Sequence, residues 1–185
     1  TLINLISQSA KEENGKYVID SKIFDTLNES AKLAEKALNT FSEINEIINT
    51  KFNLKKVSLE EVHQFLRKTI DDMPNLIKIK NQNLLLSDSK ANFKNLYIMI
   101  DFEFLYKAVY ELIINALKFS KKNSDIIIIL DCKDNDTLIS IINDPIKNDK
   151  GIVGIPLEYE NLIFEPFFRL DSHVFEEYDT LDYGL

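Results

Sequence analysis

The chain of 185 residues is 45% hydrophobic and 28% charged, a globular balance with enough apolar side chains for a real core. A formal charge of −8 argues against non-specific binding to nucleic acid or anionic lipid, since either needs a basic face. One cysteine, Cys132, excludes an intrachain disulfide, two histidines without a cysteine cluster do not suit structural zinc, and no apolar run approaches the roughly 20 residues that span a bilayer. There is no secretory signal pattern, so the chain reads as soluble and cytoplasmic. It opens on Thr1 rather than Met and breaks off after Gly184-Leu185, as a piece of a longer protein would.

Thr1 to about Glu13 carries Leu2, Leu5, Ile6 and Ala10 at helical spacing, and Asn14-Gly15-Lys16 interrupts it. From Ser21 to Thr50 the apolar positions Phe24, Leu27, Ala31, Ala34, Leu38, Phe41 and Ile48 form a heptad seam. Ala37, Ile44 and Ile47 widen that seam beyond what a two-stranded contact needs. Residues 1–52 therefore predict a helical hairpin that pairs with a second copy as a four-helix bundle. The plainer alternative is a hairpin packed on its own domain.

Residues 53–185 predict an α/β sandwich with a mixed sheet, so the chain as a whole is α+β. Phe52 to Val57 reads as an extended link into a strand, and Ser58-Leu59-Glu60-Glu61 is a capping box opening a helix to about Asp72. Leu76 to Lys80 alternates apolar and charged residues as a half-exposed strand does; Leu96 to Ile100 reads as a more buried one. Asp101 caps an apolar helix running to Phe119. Ile126–Leu130 and Leu138–Ile142 read as a strand pair, followed by a loop with two glycines and a short helix from Leu157 to Phe164.

The helix of residues 102–119 bears the chemistry. Lys107, Glu111, Asn115 and Lys118 line one stripe of an otherwise apolar helix. On spacing alone that stripe is an ordinary solvated face. Asn is a poor helix former, however, and a carboxylate one turn from a carboxamide offers oxygen donors to a hard cation such as Mg²⁺. A lysine beside them suits a phosphate, so the set fits a nucleotide with its metal.

Tyr110-Glu111-Leu112-Ile113-Ile114-Asn115-Ala116-Leu117-Lys118-Phe119-Ser120 resembles the asparagine box of sensor histidine kinases, E-x-x-x-N-A-x-K-[FY]-[ST]. Ile163-Phe164-Glu165-Pro166-Phe167-Phe168-Arg169-Leu170 resembles their phenylalanine box, I-F-E-P-F-F-R. Gly154-Ile155-Pro156 is similar to the end of the first glycine box, and Asp182-Tyr183-Gly184-Leu185 to the approach to the second. The hairpin sits where these kinases carry their dimerisation and phosphotransfer helices.

The resemblance implies a Bergerat-type ATP site. Glu111 would orient a water or act as base, Asn115 would ligate Mg²⁺ and Lys118 would meet phosphate oxygens. Gly184 would help wrap the triphosphate, with Gly154, Phe164 and Arg169 in the surrounding boxes. An acid after the second strand of the pair would accept from the adenine amino group, and here the chain departs from the family. Alternation from Ile139 and Ile141 turns Asn143 inward, proximity to the strand end and spacing from Asn115 favour Asp144, and Asp149 fits the glycine pattern with one extra residue. Neither His63 nor His173 sits where the family places its phosphoacceptor, which would lie about two helical turns upstream of Thr1.

The implied activity is histidine kinase: ATP and Mg²⁺ as cofactors, a homodimer, and a response-regulator receiver domain as the partner that takes the phosphoryl group. Two other readings stand beside it. One is a pseudokinase or phosphotransfer scaffold with weak ATP binding, suggested by the altered first glycine box. The other is an ATPase of the wider superfamily, as in topoisomerases, chaperones and mismatch-repair proteins, against which the phenylalanine box and the hairpin both argue.

Overall fold

In the computed structural model, which describes residues 9–87, 93, 95–133, 136–148, 151–165, 168, 170 and 175–178, the first regular feature is a β-hairpin. Asn14 and Gly15 both take left-handed backbone, φ 51° and 74°, the two-residue turn whose twist suits antiparallel strands. It joins β1 (Lys11–Glu13) to β2 (Lys16–Val18), with Glu12 opposite Tyr17. This corrects the expected helix over its last residues: Lys11–Glu13 is strand because the Asn-Gly turn dictates a hairpin there. Residues 1–8 lie outside the described ones.

Asp20 caps α1 (Ser21–Asn49), its Oδ1 accepting from the Lys22 amide at 2.8 Å. This helix is 29 residues long. Of the expected seam, Phe24, Leu38 and Phe41 are exposed and Leu27 is half-buried, while the side chain of Ile48 lies outside the described residues. The chain divides into two compact units, Thr1–Lys51 and Phe52–Leu185.

The second unit is α+β with a mixed sheet. β3 (Lys55–Ser58) leads into the capping box: Ser58 Oγ accepts from the Glu61 amide at 3.2 Å while Glu61 accepts from the Ser58 amide at 2.7 Å. α2 (Leu59–Asp71) then buries Leu59, Val62, Leu66 and Thr69, one stripe at 3 and 4 spacing.

The segment after it departs from expectation. Leu76 to Lys80 is not a strand, for Pro74–Ile79 forms a short helix, α3, with Pro74 in its first turn. Proline's fixed φ is preorganised for that position, and Leu76, Ile77 and Ile79 can share one side of a helix as readily as they alternate on a strand. The strand comes later, as β4 (Asn83–Leu86), where Asn-Leu-Leu-Leu offers neither alternation nor β-branching. β5 (Tyr97–Ile100) pairs antiparallel with β3. It is half-exposed rather than the more buried strand, since Ile98 and Ile100 turn partly inward while Tyr97 and Met99 face solvent.

Asp101 caps α4 (Phe102–Phe119) through Oδ1 on the Glu103 amide, and its Oδ2 accepts from the Asn53 amide at 2.8 Å. β6 (Asp125–Lys133) and β7 (Asp136–Ile142) are antiparallel, and β4 joins β6 in parallel to give the order β4-β6-β7. Ile126, Ile128 and Leu130 of β6 share the core with Val109, Ile113 and Leu117 of α4 and with the buried stripe of α2. The expected helix from Leu157 to Phe164 is two short 3₁₀ turns, Leu157–Tyr159 and Leu162–Phe164. Leu157 and Leu162 are exposed, so there is no buried stripe to sustain a longer helix. Among the described residues, no helix is long and apolar enough to cross a membrane.

Candidate functional site

The polar stripe of α4 divides where the helix meets the rest of the unit. Lys107 pairs with Glu103 at 3.1 Å on the exposed side, and Glu111 and Asn115 are exposed one turn apart. Lys118 is not on that face: it is 3% exposed, contrary to the single solvated stripe expected. Helical spacing could not show this, because the burial comes from the covering of the last turn. Phe175 sets its ring edge-on to Phe119 at 5.3 Å, and the Tyr178 hydroxyl donates to the Leu117 carbonyl at 3.4 Å. Burial pushes the Tyr178 phenol up to about 12.

The strand-end segment after β7 is laced to the same helix end. The Ile146 amide donates to the Phe119 carbonyl at 2.8 Å and the Lys121 amide to the Asp144 carbonyl at 3.1 Å. Asn143 is half-buried, and its Nδ2 donates to the Ser120 hydroxyl at 2.9 Å. That hydroxyl in turn donates to the Ala116 carbonyl. Asp144 faces away, both its carboxylate oxygens 2.9 Å from Lys121 Nζ at the surface. The pleat of β7 thus carries Asn143 toward α4 and leaves Asp144 in a surface ion pair; Asp149 lies outside the described residues.

Gly154 has φ 68° and open space where a Cβ would stand, so its glycine serves the left-handed backbone rather than a close approach. The Phe164 backbone ends the second 3₁₀ turn. The Phe164 side chain, Arg169, His173 and Gly184 lie outside the described residues. His63 is half-buried on α2, its ring 6.3 Å from that of Phe93.

Sequence reasoning passed over four residues at this helix end: Lys80, Gln82, Ser120 and Tyr178. Lys80 Nζ donates to the carbonyls of Leu117, Lys118 and Ser120, and Gln82 Nε2 to those of Leu117 and Lys121. Ser120 closes the asparagine-box pattern, and that was its one visible signal. Lys80 ends the Leu76–Lys80 stretch whose alternation reads as strand and Gln82 lies just beyond it, so nothing in the sequence marked them.

Among the described residues no three His, Cys, Asp or Glu side chains gather to hold a metal. Glu111 and Asn115 nevertheless fit Mg²⁺, which takes one or two protein oxygens and fills its remaining positions with phosphate oxygens and water. The donor set suits a metal that arrives with a nucleotide.

Residues 100–181 match the sequence profile of the family described as Histidine kinase-, DNA gyrase B-, and HSP90-like ATPase. No curated protein matches the chain. Among solved structures, the catalytic domain of histidine kinase ThkA is similar at 20% identity and a TM-score of 0.50, over 64% of this chain and 72% of that one. Acinetobacter baumannii histidine kinase AdeS is similar at 14% identity and 0.55, over 90% of this chain and 73% of that one. ThkA in complex with response regulator protein TrrA is similar at 19% identity and 0.56, over 90% of this chain and 44% of that one. Residues 100–181 thus resemble the histidine kinase-, DNA gyrase B- and HSP90-like ATPase family, and the chain shares the fold of histidine kinase catalytic domains.

Proposed function

We propose that the chain is the ATP-dependent core of a cytoplasmic sensor histidine kinase. It phosphorylates a histidine upstream of Thr1 and passes the phosphoryl group to a response-regulator aspartate. The observation that carries this reading is the arrangement at α4. Two exposed oxygen donors, Glu111 and Asn115, stand one turn apart, and the inward Asn143 is hydrogen-bonded to Ser120 of the same helix end.

In this reading Asn115 holds Mg²⁺, which supplies charge neutralisation on the phosphate oxygens when bound. Glu111 orients a water or takes the acceptor's proton. Asn143 accepts from the adenine amino group through its side-chain oxygen, leaving Nδ2 on Ser120. Gly154 shapes the loop beside it, and Gly184 with the residues of the second glycine box wraps the triphosphate. Phe164 and Arg169 complete the lid contacts that the family resemblance implies, while the phosphate contact it implies for Lys118 requires that buried side chain to turn outward. Transfer needs the γ-phosphate and the acceptor nitrogen close and in line, and positioning plus neutralisation is what such a site contributes.

Residues 1–52 supply the dimer. The exposed Phe24, Leu38 and Phe41 of α1 form an apolar stripe that a second copy covers as a four-helix bundle. The receiver-domain partner is supported by the similar fold of ThkA, which has been solved with a response regulator.

The pseudokinase alternative draws on two observations: the half-buried residue that follows β7 is an amide, Asn143, rather than a carboxylate, and Lys118 is withdrawn from solvent. A thermal melt with and without Mg-ATP separates the readings. A kinase core rises by the linkage expected of a native-state ligand, about 2.7 kcal/mol at a hundredfold excess over Kd. An unmoved midpoint at millimolar nucleotide leaves the scaffold reading.

A further inference from the structure

Lys80 follows α3 and belongs to none of the motifs on which the family resemblance stands, yet two other pieces of the second unit meet at its ammonium. Nζ donates to the carbonyls of Leu117 at 3.3 Å, Lys118, and Ser120 at 3.4 Å, which lie at the end of α4. The rings of Phe175 and Tyr178 lie 5.0 and 5.9 Å from the same nitrogen. The last carbonyls of a helix have no intrahelical donor and carry its negative dipole end. A cation backed by aromatic faces satisfies both. Burial holds the Lys80 pKa below the ordinary lysine value, with Glu177 acting in the opposite sense.

Ser120 is the node that ties this cap to the candidate site. Its carbonyl accepts from Lys80 and its hydroxyl accepts from Asn143. Asn115 and Lys118 stand in the last two turns of the same helix, so whatever fixes those turns fixes them.

We propose that Lys80 is a positioning residue for the nucleotide site, holding the end of α4, the Asn143 segment and the Phe175–Tyr178 turn in one mutual geometry. The proposal rests on the nucleotide reading above. Lys80 itself touches neither nucleotide nor metal. It acts through Ser120 and the last turns of α4, where a displacement of about 1 Å can cost on the order of a hundredfold.

The test is the equilibrium dissociation constant for Mg-ATP, measured well below the thermal midpoint of each protein, for the unsubstituted chain, Lys80→Met and Lys80→Arg. Methionine keeps an apolar stem and removes the charge. Arginine keeps a cation for the carbonyls and a planar face for the rings. The expected result is binding weakened about tenfold or more in Lys80→Met and recovered to within about threefold in Lys80→Arg. A role confined to stability would move the melting midpoint of Lys80→Met and leave its affinity at low temperature within about twofold, and that result overturns the proposal. If Lys80→Met does not fold by circular dichroism, Lys80→Gln, which keeps a donor without charge, is measured by the same criterion. Absence of Mg-ATP binding by the unsubstituted chain overturns the nucleotide reading and the proposal together. Binding there with unchanged affinity in the charge-free variant overturns the proposal alone.

Discussion

α1 and α4 begin alike and end differently. Each is a long helix opened by an aspartate that accepts from a first-turn amide, Asp20 for α1 and Asp101 for α4. Each carries a periodic apolar stripe. In α4 that stripe is filled: Val109, Ile113, Ile114 and Leu117 are at most 2% exposed. In α1 the corresponding residues stay open, with Phe24 at 49%, Leu38 at 69% and Phe41 at 47%. Periodicity therefore shows that a helix has a face to bury without showing what buries it. The α4 stripe stabilises its own unit; the α1 stripe is available for association.

Substitutions that probe this contrast should fall in a definite order. The largest loss is expected from Ile113→Ala, which opens a cavity in the shared core of α4, α2 and β6. It should cost about 2–5 kcal/mol in the unfolding of the second unit, read by denaturant titration. A loss below about 1 kcal/mol would show that the α4 stripe is not the centre of that core.

Asn115→Asp should leave the melt of the free chain near its original midpoint, since the side chain is exposed and the swap keeps shape. It should abolish most of the Mg-ATP stabilisation, which is about 2.7 kcal/mol at a hundredfold excess of ligand over Kd. An undiminished ligand shift would separate the exposed face of α4 from metal binding.

Ser58→Ala removes one half of the α2 capping box and should cost about 1 kcal/mol. The same box holds the Glu61 carboxyl below its ordinary value, first through the Ser58 amide and then through the Ser58 hydroxyl, and alanine removes only the hydroxyl's share. The stability that box supplies is present above the unfolded carboxylate pKa and lost as the pH falls through the folded one. Ser58→Ala should therefore flatten part of the acid limb of the stability curve.

Tyr178 acts at the opposite end of the pH scale. Its pKa rises from 10.0 to about 12 in the fold. Its contribution is thus fully present below pH 10 and lost as the pH climbs toward 12. Tyr178→Phe should remove that part of the alkaline decline, and an unchanged alkaline slope would mean that the phenol is not held over α4.

The smallest effect on the second unit is expected from Leu38→Asp in α1, below about 0.5 kcal/mol, because the side chain is exposed. Its effect on association should be complete. Light scattering should report a dimer for the unsubstituted chain at tens of micromolar and a monomer for Leu38→Asp. A monomer in both would break the contrast between the helices, leaving the α1 stripe without a partner of its own kind.

Local chemistry was legible wherever one residue type has one strong use. The Ser58–Glu61 box, the Asp101 cap, α4 from end to end and the β6–β7 pair all follow from capping and periodicity. The Asn-Gly turn was equally explicit, and reading it as a mere break in a helix overlooked its meaning as a hairpin. The segment from Leu76 to Leu86 was not legible, because a short apolar run satisfies strand and helix alike and β4 gains its pairing from β6, some 40 residues on. The sequence by itself determined the composition of the site: an oxygen-bearing stripe on an apolar helix, with an amide and an acid at a strand end. Only the tertiary structure decided which of those side chains meet. It withdrew Lys118, turned Asn143 toward Ser120, sent Asp144 to Lys121 and brought Lys80 under the last carbonyls of α4. Spacing along a chain fixes the direction of a side chain on its own element, whereas burial and pairing depend on what the rest of the fold lays over it.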